Sequence, residues 1–169
     1  MKKNFKNILK PLSFLPALAM MYIIYSFSAQ TGEASGSLSY EISYKTVQLA
    51  DELLGTGLDP QQLESYAHKI EHPIRKLAHM TEYFLLALTV SFPFYVYGLR
   101  GRKLMLTAAL ICVAFAAGDE YHQSFVDGRG PAVKDVIIDS AGVLIGTLFV
   151  RILCLRSCAS KSVKKQIHL

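Results

Sequence analysis

Residues 99–123, LRGRKLMLTAALICVAFAAGDEYHQ, decide how this 169-residue chain is organised. The stretch opens on a basic turn of Arg100, Arg102 and Lys103 and then runs without a charge until it closes on Asp119 and Glu120. A membrane-spanning helix needs about 20 mostly apolar residues. This run is barely long enough, so its acids must sit close to a membrane surface. Bases at one end and acids at the other also give it a direction, because bases collect on the cytoplasmic side of a bilayer.

Working outward from this stretch, three further apolar blocks follow the same logic. One covers residues 12–29 after a basic start of Lys2, Lys3, Lys6 and Lys10. It is longer than the roughly 7–15 residues of a signal-peptide core, so it reads as a retained helix. A second covers residues 74–97, where Pro93 is expected to kink or end the helix. The last covers residues 132–155 and leads into a basic tail. With the central span at 104–120, the chain reads as one all-α membrane domain of four transmembrane helices over residues 1–169.

The composition agrees with this reading. Hydrophobic residues make up 51% of the chain and charged residues 18%, and the apolar residues come in long blocks. The net charge of +5 lies beside those blocks and accompanies no nucleic-acid-binding motif, so it points to lipid headgroups rather than nucleic acid. Putting both termini in the cytoplasm places Lys2, Lys3, Lys6, Lys10, Arg100, Arg102, Lys103, Arg151, Arg156, Lys161, Lys164 and Lys165 inside. Every acidic residue then falls outside or in the outer half of a helix. None of Cys112, Cys154 and Cys158 lies in an outer segment, so no disulfide is expected; all three read as apolar packers.

Residues 30–73 form the extracytoplasmic segment. Residues 31–37, TGEASGS, read as a loop. Residues 39–54 have helical apolar spacing, Gly55 and Gly57 end it, and Leu58-Asp59-Pro60 starts another helix towards His72. These are expected to be short helices lying on or capping the outer face.

The outer ends of the spans carry unusual polar residues. Arg75, His79 and Glu82 are spaced to share one helix face, with Lys76 beside them. If the span begins at 74, Glu82 lies about two turns into the membrane. The third span closes on Asp119, Glu120, His122 and Gln123. Gly128, Arg129, Gly130 and Pro131 make the return, and Asp135 and Asp139 open the fourth span four residues apart. Carboxylates there are favoured by the helix dipole. Two readings stay open. In one, Glu82, Asp119, Asp135 and Asp139 pair with Arg75, Lys76 and Arg129 to hold the helices in register. In the other, the residues form an outward-facing site, since ionisable groups within spans are costly and converge for a reason. His79, Glu82, Asp119 and His122 would be its acid–base groups; Gln30, Arg75, Lys76, Glu120, Gln123, Arg129, Asp135 and Asp139 would bind. The pairs His79–Glu82 and Asp119–His122 have only weak metal-site character, so neither metal nor cofactor is expected. Ser28, Ser124 and Ser140 lack a nucleophile elbow.

Three blocks resemble the VanZ-like family in its order: Phe27-Ser28-Ala29-Gln30; Arg75-Lys76-Leu77-Ala78-His79-Met80-Thr81-Glu82-Tyr83; and Asp119 through Phe125 and Gly128-Arg129 to Asp135 and Asp139-Ser140-Ala141-Gly142. The resemblance implies a small multi-pass bacterial membrane protein. The family's namesake is associated with teicoplanin resistance, and relatives with lipoglycopeptide resistance, without a change in the peptidoglycan terminus. Three functions follow for comparison. The first is an envelope protein that binds or alters a surface component such as a lipid-linked wall precursor or the glycopeptide itself. The second is an embedded enzyme doing acid–base hydrolysis or group transfer on a lipid-linked substrate. The third, a transporter, is disfavoured by the apolar cytoplasmic halves of the spans and the lack of inverted repeats.

Overall fold

The computed structural model describes residues 10–130 and 132–167, with side chains as far as residue 155. Lys2, Lys3, Lys6 and Pro131, and the side chains of Arg156, Cys158, Lys161, Lys164 and Lys165, lie outside what is described. A 3-10 turn, Lys10–Phe14, leads into α1 (Leu15–Ser28). Four longer helices follow: α2 (Gly32–Leu54), α3 (Pro60–Val96), α4 (Gly101–Gln123) and α5 (Val133–Ile167). Among the described residues there is no strand. Three segments are long and apolar enough to cross a membrane: Lys10–Ser28, Gly101–Gln123 and Val133–Leu155.

α3 is the central helix and packs against each of the other four. Its inner face, Tyr83, Leu86, Ala87 and Val90, meets Ile24 of α1, Val143 of α5 and the small stripe Ala108, Cys112, Ala116 of α4. Small residues let helix backbones approach closely, which is how helices associate where no hydrophobic drive separates protein from lipid. The approach is closest between α3 and α5. A Cβ added at Gly142 would run into the Met80 carbonyl, and one at Gly146 would lie 2.8 Å from both the Ala87 Cβ and the Phe84 carbonyl oxygen. The outward faces remain apolar and exposed, as at Leu106 and Leu110 of α4 and Ile137 and Leu144 of α5. That pattern suits lipid as the surrounding solvent.

The segment between the first two blocks differs from expectation. The TGEASGS stretch is helix from Gly32 onward, and α2 is a single helix of 23 residues. Thr31 caps it by accepting from the Ala34 N–H at 3.2 Å. Ser39 and Ser43 then bond back to carbonyls one turn earlier, so the polar stretch satisfies itself within the helix. Gly55 ends α2 with φ of 65°, a left-handed conformation that glycine adopts freely. Asp51 braces the turn by accepting from the Thr56 hydroxyl at 2.5 Å and the Leu58 N–H at 3.0 Å. α3 starts where expected, with Asp59 and Gln62 in a capping box and Pro60 in the first turn.

It does not stop near His72. α3 continues through Pro73 and Pro93 to Val96, 37 residues in all, or about 55 Å at 1.5 Å per residue. The bond lost at Pro73 falls on an exposed side, while the opposite side is held by α2, through the Tyr40–His68 ring stack and a bond from Arg75 to Ser39. α2 and the first part of α3 are therefore an antiparallel hairpin of two long helices, not short caps. α4 begins at Gly101 and ends at Gln123, about one turn longer at each end than the apolar run.

Candidate functional site

The polar residues at the ends of the apolar segments come together where four helices end or pass. Ser28 and Gln30 at the end of α1, Ser35 and Ser39 of α2, Arg75, His79 and Glu82 of α3, Asp119 of α4, and Arg129 line one cavity of about 190 Å³. Its remaining wall is apolar, from Ile24 and Phe27 of α1, Leu38 and Ile42 of α2, and Ile74 and Ala78 of α3. A second cavity of about 270 Å³ shares Ser35, Arg75, His79 and Arg129 and adds His72, Lys76, Gln123 and Asp135. Glu82 and Asp119 line the same space as the end of α1, so they stand level with that end. The part of α3 before Glu82 runs past it beside α2. The depth expected from a span starting at residue 74 is thus reduced.

The loop between α4 and α5 closes this end of the bundle. Gly128 turns it with φ of 73°, and the Gly32 N–H donates to the Asp127 carbonyl at 2.9 Å. Gly32 and Gly128 touch backbone to backbone, and a Cβ at Gly32 would enter the Gly128 carbonyl. Arg129 Nη2 donates to the Phe27 carbonyl at 3.1 Å, which ties the loop to α1 as well. Burial is the main influence on Arg129 and lowers its pKa; Asp119 opposes that and Arg75 reinforces it.

The expected ion-pair network is mostly not formed. Lys76 and Asp135 do pair, joining α3 to α5. Arg75, however, turns to Glu71 on its own helix at 2.9 Å and donates from Nε to the Ser39 hydroxyl at 3.0 Å. Asp119 accepts from Gln123 Nε2 at 3.1 Å. Glu120 accepts from the Ala132 N–H at 2.5 Å, a charge-assisted cap on the entry to α5. Glu82 meets no Lys or Arg within ion-pair distance among the described residues; His79 Nδ1 lies 3.9 Å from its Oε2. Four buried polar atoms have no protein partner among the described residues: Ser28 Oγ, Tyr83 Oη, His122 Nδ1 and Asp139 Oδ1.

Of the residues singled out from sequence, Gln30, Arg75, Lys76, His79, Glu82, Asp119, Gln123, Arg129 and Asp135 line the two cavities. Glu120, His122 and Asp139 do not. The His122 ring stacks on Tyr25 of α1, with centroids 4.8 Å apart. Asp139 is 4% exposed, inside the bundle. Sequence reasoning missed Ser35, Ser39 and Glu71. A signal for the serines existed: Ser35, Ser39 and Ser43 recur every four residues, a polar stripe along the α2 face that meets α3.

The arrangement offers two chemistries. Each guanidinium has five N–H donors, and neither Arg75 nor Arg129 uses more than part of its fork on protein partners. Forks of this kind suit phosphate. His79, Glu82 and Asp119 below them supply acceptors for hydroxyl groups or a proton-transfer pair. A family model described as VanZ/LLP1 matches residues 13–154 of this chain. No curated protein and no solved structure matches it.

Proposed function

The chain belongs to the VanZ/LLP1 family, and from that premise we propose that it is a four-span envelope protein whose outer cavity binds the anionic headgroup of a lipid-linked component and thereby contributes to glycopeptide resistance. Connectivity supports the fourth span. α1 ends at the cavity and α4 begins at the opposite end of the bundle, so if α1, α4 and α5 cross a bilayer, α3 must cross between them. Among the described residues, Lys10, Arg100, Arg102, Lys103 and Arg151 lie towards the end away from the cavity, which supports cytoplasmic termini and an outward-facing site.

One observation carries the reading: a single cavity joins two guanidiniums, Arg75 and Arg129, to an apolar wall of Ile24, Phe27, Leu38 and Ile42. A soluble anion has no use for that wall. A lipid phosphate uses both, with its chain between α1 and α2 and any sugar or glycerol hydroxyls on Glu82 and Asp119. The test is teicoplanin susceptibility of a sensitive Gram-positive host at matched membrane expression. Wild type should raise the inhibitory concentration, and Arg129→Gln should remove the increase. A wild type that gives no protection, or an Arg129→Gln that protects fully, refutes the proposal.

A second reading is favoured by the 3.9 Å approach of His79 Nδ1 to Glu82 Oε2 beside Asp119. That geometry would serve acid–base cleavage or transfer on the same lipid-linked headgroup. Glu82→Gln separates the two: it abolishes turnover outright in an enzyme and weakens a binding protein in proportion to affinity.

A further inference from the structure

The opposite end of the bundle holds a cavity that the outer site does not explain. It is about 360 Å³ and lies between the end of α3, the start of α4 and α5, with Arg100, Arg102 and Arg151 around it and Ser91 and Thr147 at its floor. Ser91 and Thr147 are buried and spend their hydroxyls on carbonyls of their own helices, so they make a neutral floor. Among the described residues these arginines pair with no carboxylate. No Asp or Glu occurs anywhere in residues 1–32, 83–118 or 140–169.

Two further features favour an anion there. Arg100 is held in place: its guanidinium stacks on the Tyr95 ring at 3.6 Å, and its Nη1 donates to the Tyr95 and Leu99 carbonyls. Its Nε and Nη2 donors are left for the cavity. α4 also begins here without a side-chain cap, so the free N–H groups of its first turn add to the positive potential.

The cavity continues into an apolar groove between α3 and α5, sharing Ser91, Val150 and Cys154 with it and lined by Leu88, Phe92, Phe149 and Leu153. Phe92, Phe149 and Leu153 are each between 44% and 50% exposed there. We propose that this end binds an anionic glycerophospholipid of the other leaflet, with its phosphate diester among Arg100, Arg102 and Arg151 and one acyl chain in the α3–α5 groove. The groove argues for a lipid over free phosphate, and the unbalanced arginines argue for an anionic lipid over a zwitterionic one.

The test uses the full chain purified in a neutral maltoside detergent. Phosphatidylglycerol, phosphatidylcholine and inorganic phosphate are titrated separately, reading retained lipid by native mass spectrometry and melting temperature. Phosphatidylglycerol should be retained and raise the melting temperature by several degrees, with little effect of the other two. Arg102→Gln with Arg151→Gln should lose one retained lipid that Arg75→Gln with Arg129→Gln keeps. Cys154→Phe, which leaves every charge in place and fills the junction of cavity and groove, should lose the same lipid. Equal retention of phosphatidylcholine, equal stabilisation by inorganic phosphate, or unchanged lipid binding in both the Arg102/Arg151 and Cys154 variants would each overturn the assignment.

Discussion

Gly142→Ala is the most demanding perturbation the bundle offers. The added methyl would collide with the Met80 carbonyl oxygen and lie 3.0 Å from its carbon and 3.2 Å from the Met80 Cα. Non-bonded carbons are comfortable at about 3.5–4.0 Å, so α3 and α5 must part by at least roughly 0.5 Å along the whole contact. The obstacle is backbone within a helix, which no rotamer change relieves. Overpacking costs about 1–3 kcal/mol in ordinary cores, and this site belongs at or above the upper end. At about 2–4 °C per kcal/mol for a chain of this size, the melting temperature in detergent should fall by about 6–12 °C. Gly146→Ala meets the Ala87 Cβ and the Phe84 carbonyl oxygen at 2.8 Å and should cost less, about 1–2 kcal/mol. Gly118→Ala meets nothing within 4 Å and sits in a helix, so it should stabilise by about 0.5–1 kcal/mol. The order of the three matters more than any one value. Equal melting temperatures for Gly142→Ala and Gly118→Ala would refute the close α3–α5 crossing.

The same interface carries the Lys76–Asp135 pair, whose side chains are 23% and 33% exposed. Removing either partner alone should cost about 1–3 kcal/mol, and Lys76→Met with Asp135→Leu should recover most of it; a double-mutant cycle measured by denaturation reads the coupling, and an additive cycle would count against the pair. At the hairpin turn, the bond from the Thr56 hydroxyl, then that from the Leu58 N–H, holds the Asp51 carboxyl below its ordinary pKa. A lowered folded pKa contributes stability above the unfolded value of about 3.9, and that contribution is lost as pH falls through the folded value. Protection factors at residues 55–58, referred to the intrinsic exchange rate at each pH, should therefore fall below about pH 4 in wild type, and Asp51→Asn should remove that fall.

Three of the four expected spans, those at the start, centre and end of the chain, coincide with helices long and apolar enough to cross a membrane, and they were legible because their apolar runs are long and bounded by charge. The long hairpin was not. TGEASGS has the composition of a loop, and Pro73 has the appearance of a break, yet both lie in helices. Pro costs about 3 kcal/mol in a helix interior. The contacts that outweigh it, Arg75 to Ser39 and Tyr40 to His68, come from a helix whose register no local pattern reveals. The site divided along the same line. The residues that line the cavities follow from charge near span ends. Their partners do not, because partners depend on level. Once α2 places Glu82 beside the end of α1, Arg75 lies beyond it and turns to Glu71. Glu120 likewise looked like a site acid and serves the Ala132 N–H instead. His122 and Asp119, expected to work as a pair, face Tyr25 and the cavity respectively.

The meeting of Gly32 with Gly128 bears on how this protein can change over generations. Two side chains in contact can be exchanged together, a larger one for a smaller one, so that lineages drift while the packing survives. Two backbones in contact have nothing to trade. A substitution at Gly32 cannot be rescued by any choice at Gly128, whose own positive φ independently asks for glycine. These two positions should stay unchanged in descendants that keep the loop closed over the cavity. A descendant that loses one of them has released Arg129 from α1 and should lose the headgroup binding proposed for the cavity as well.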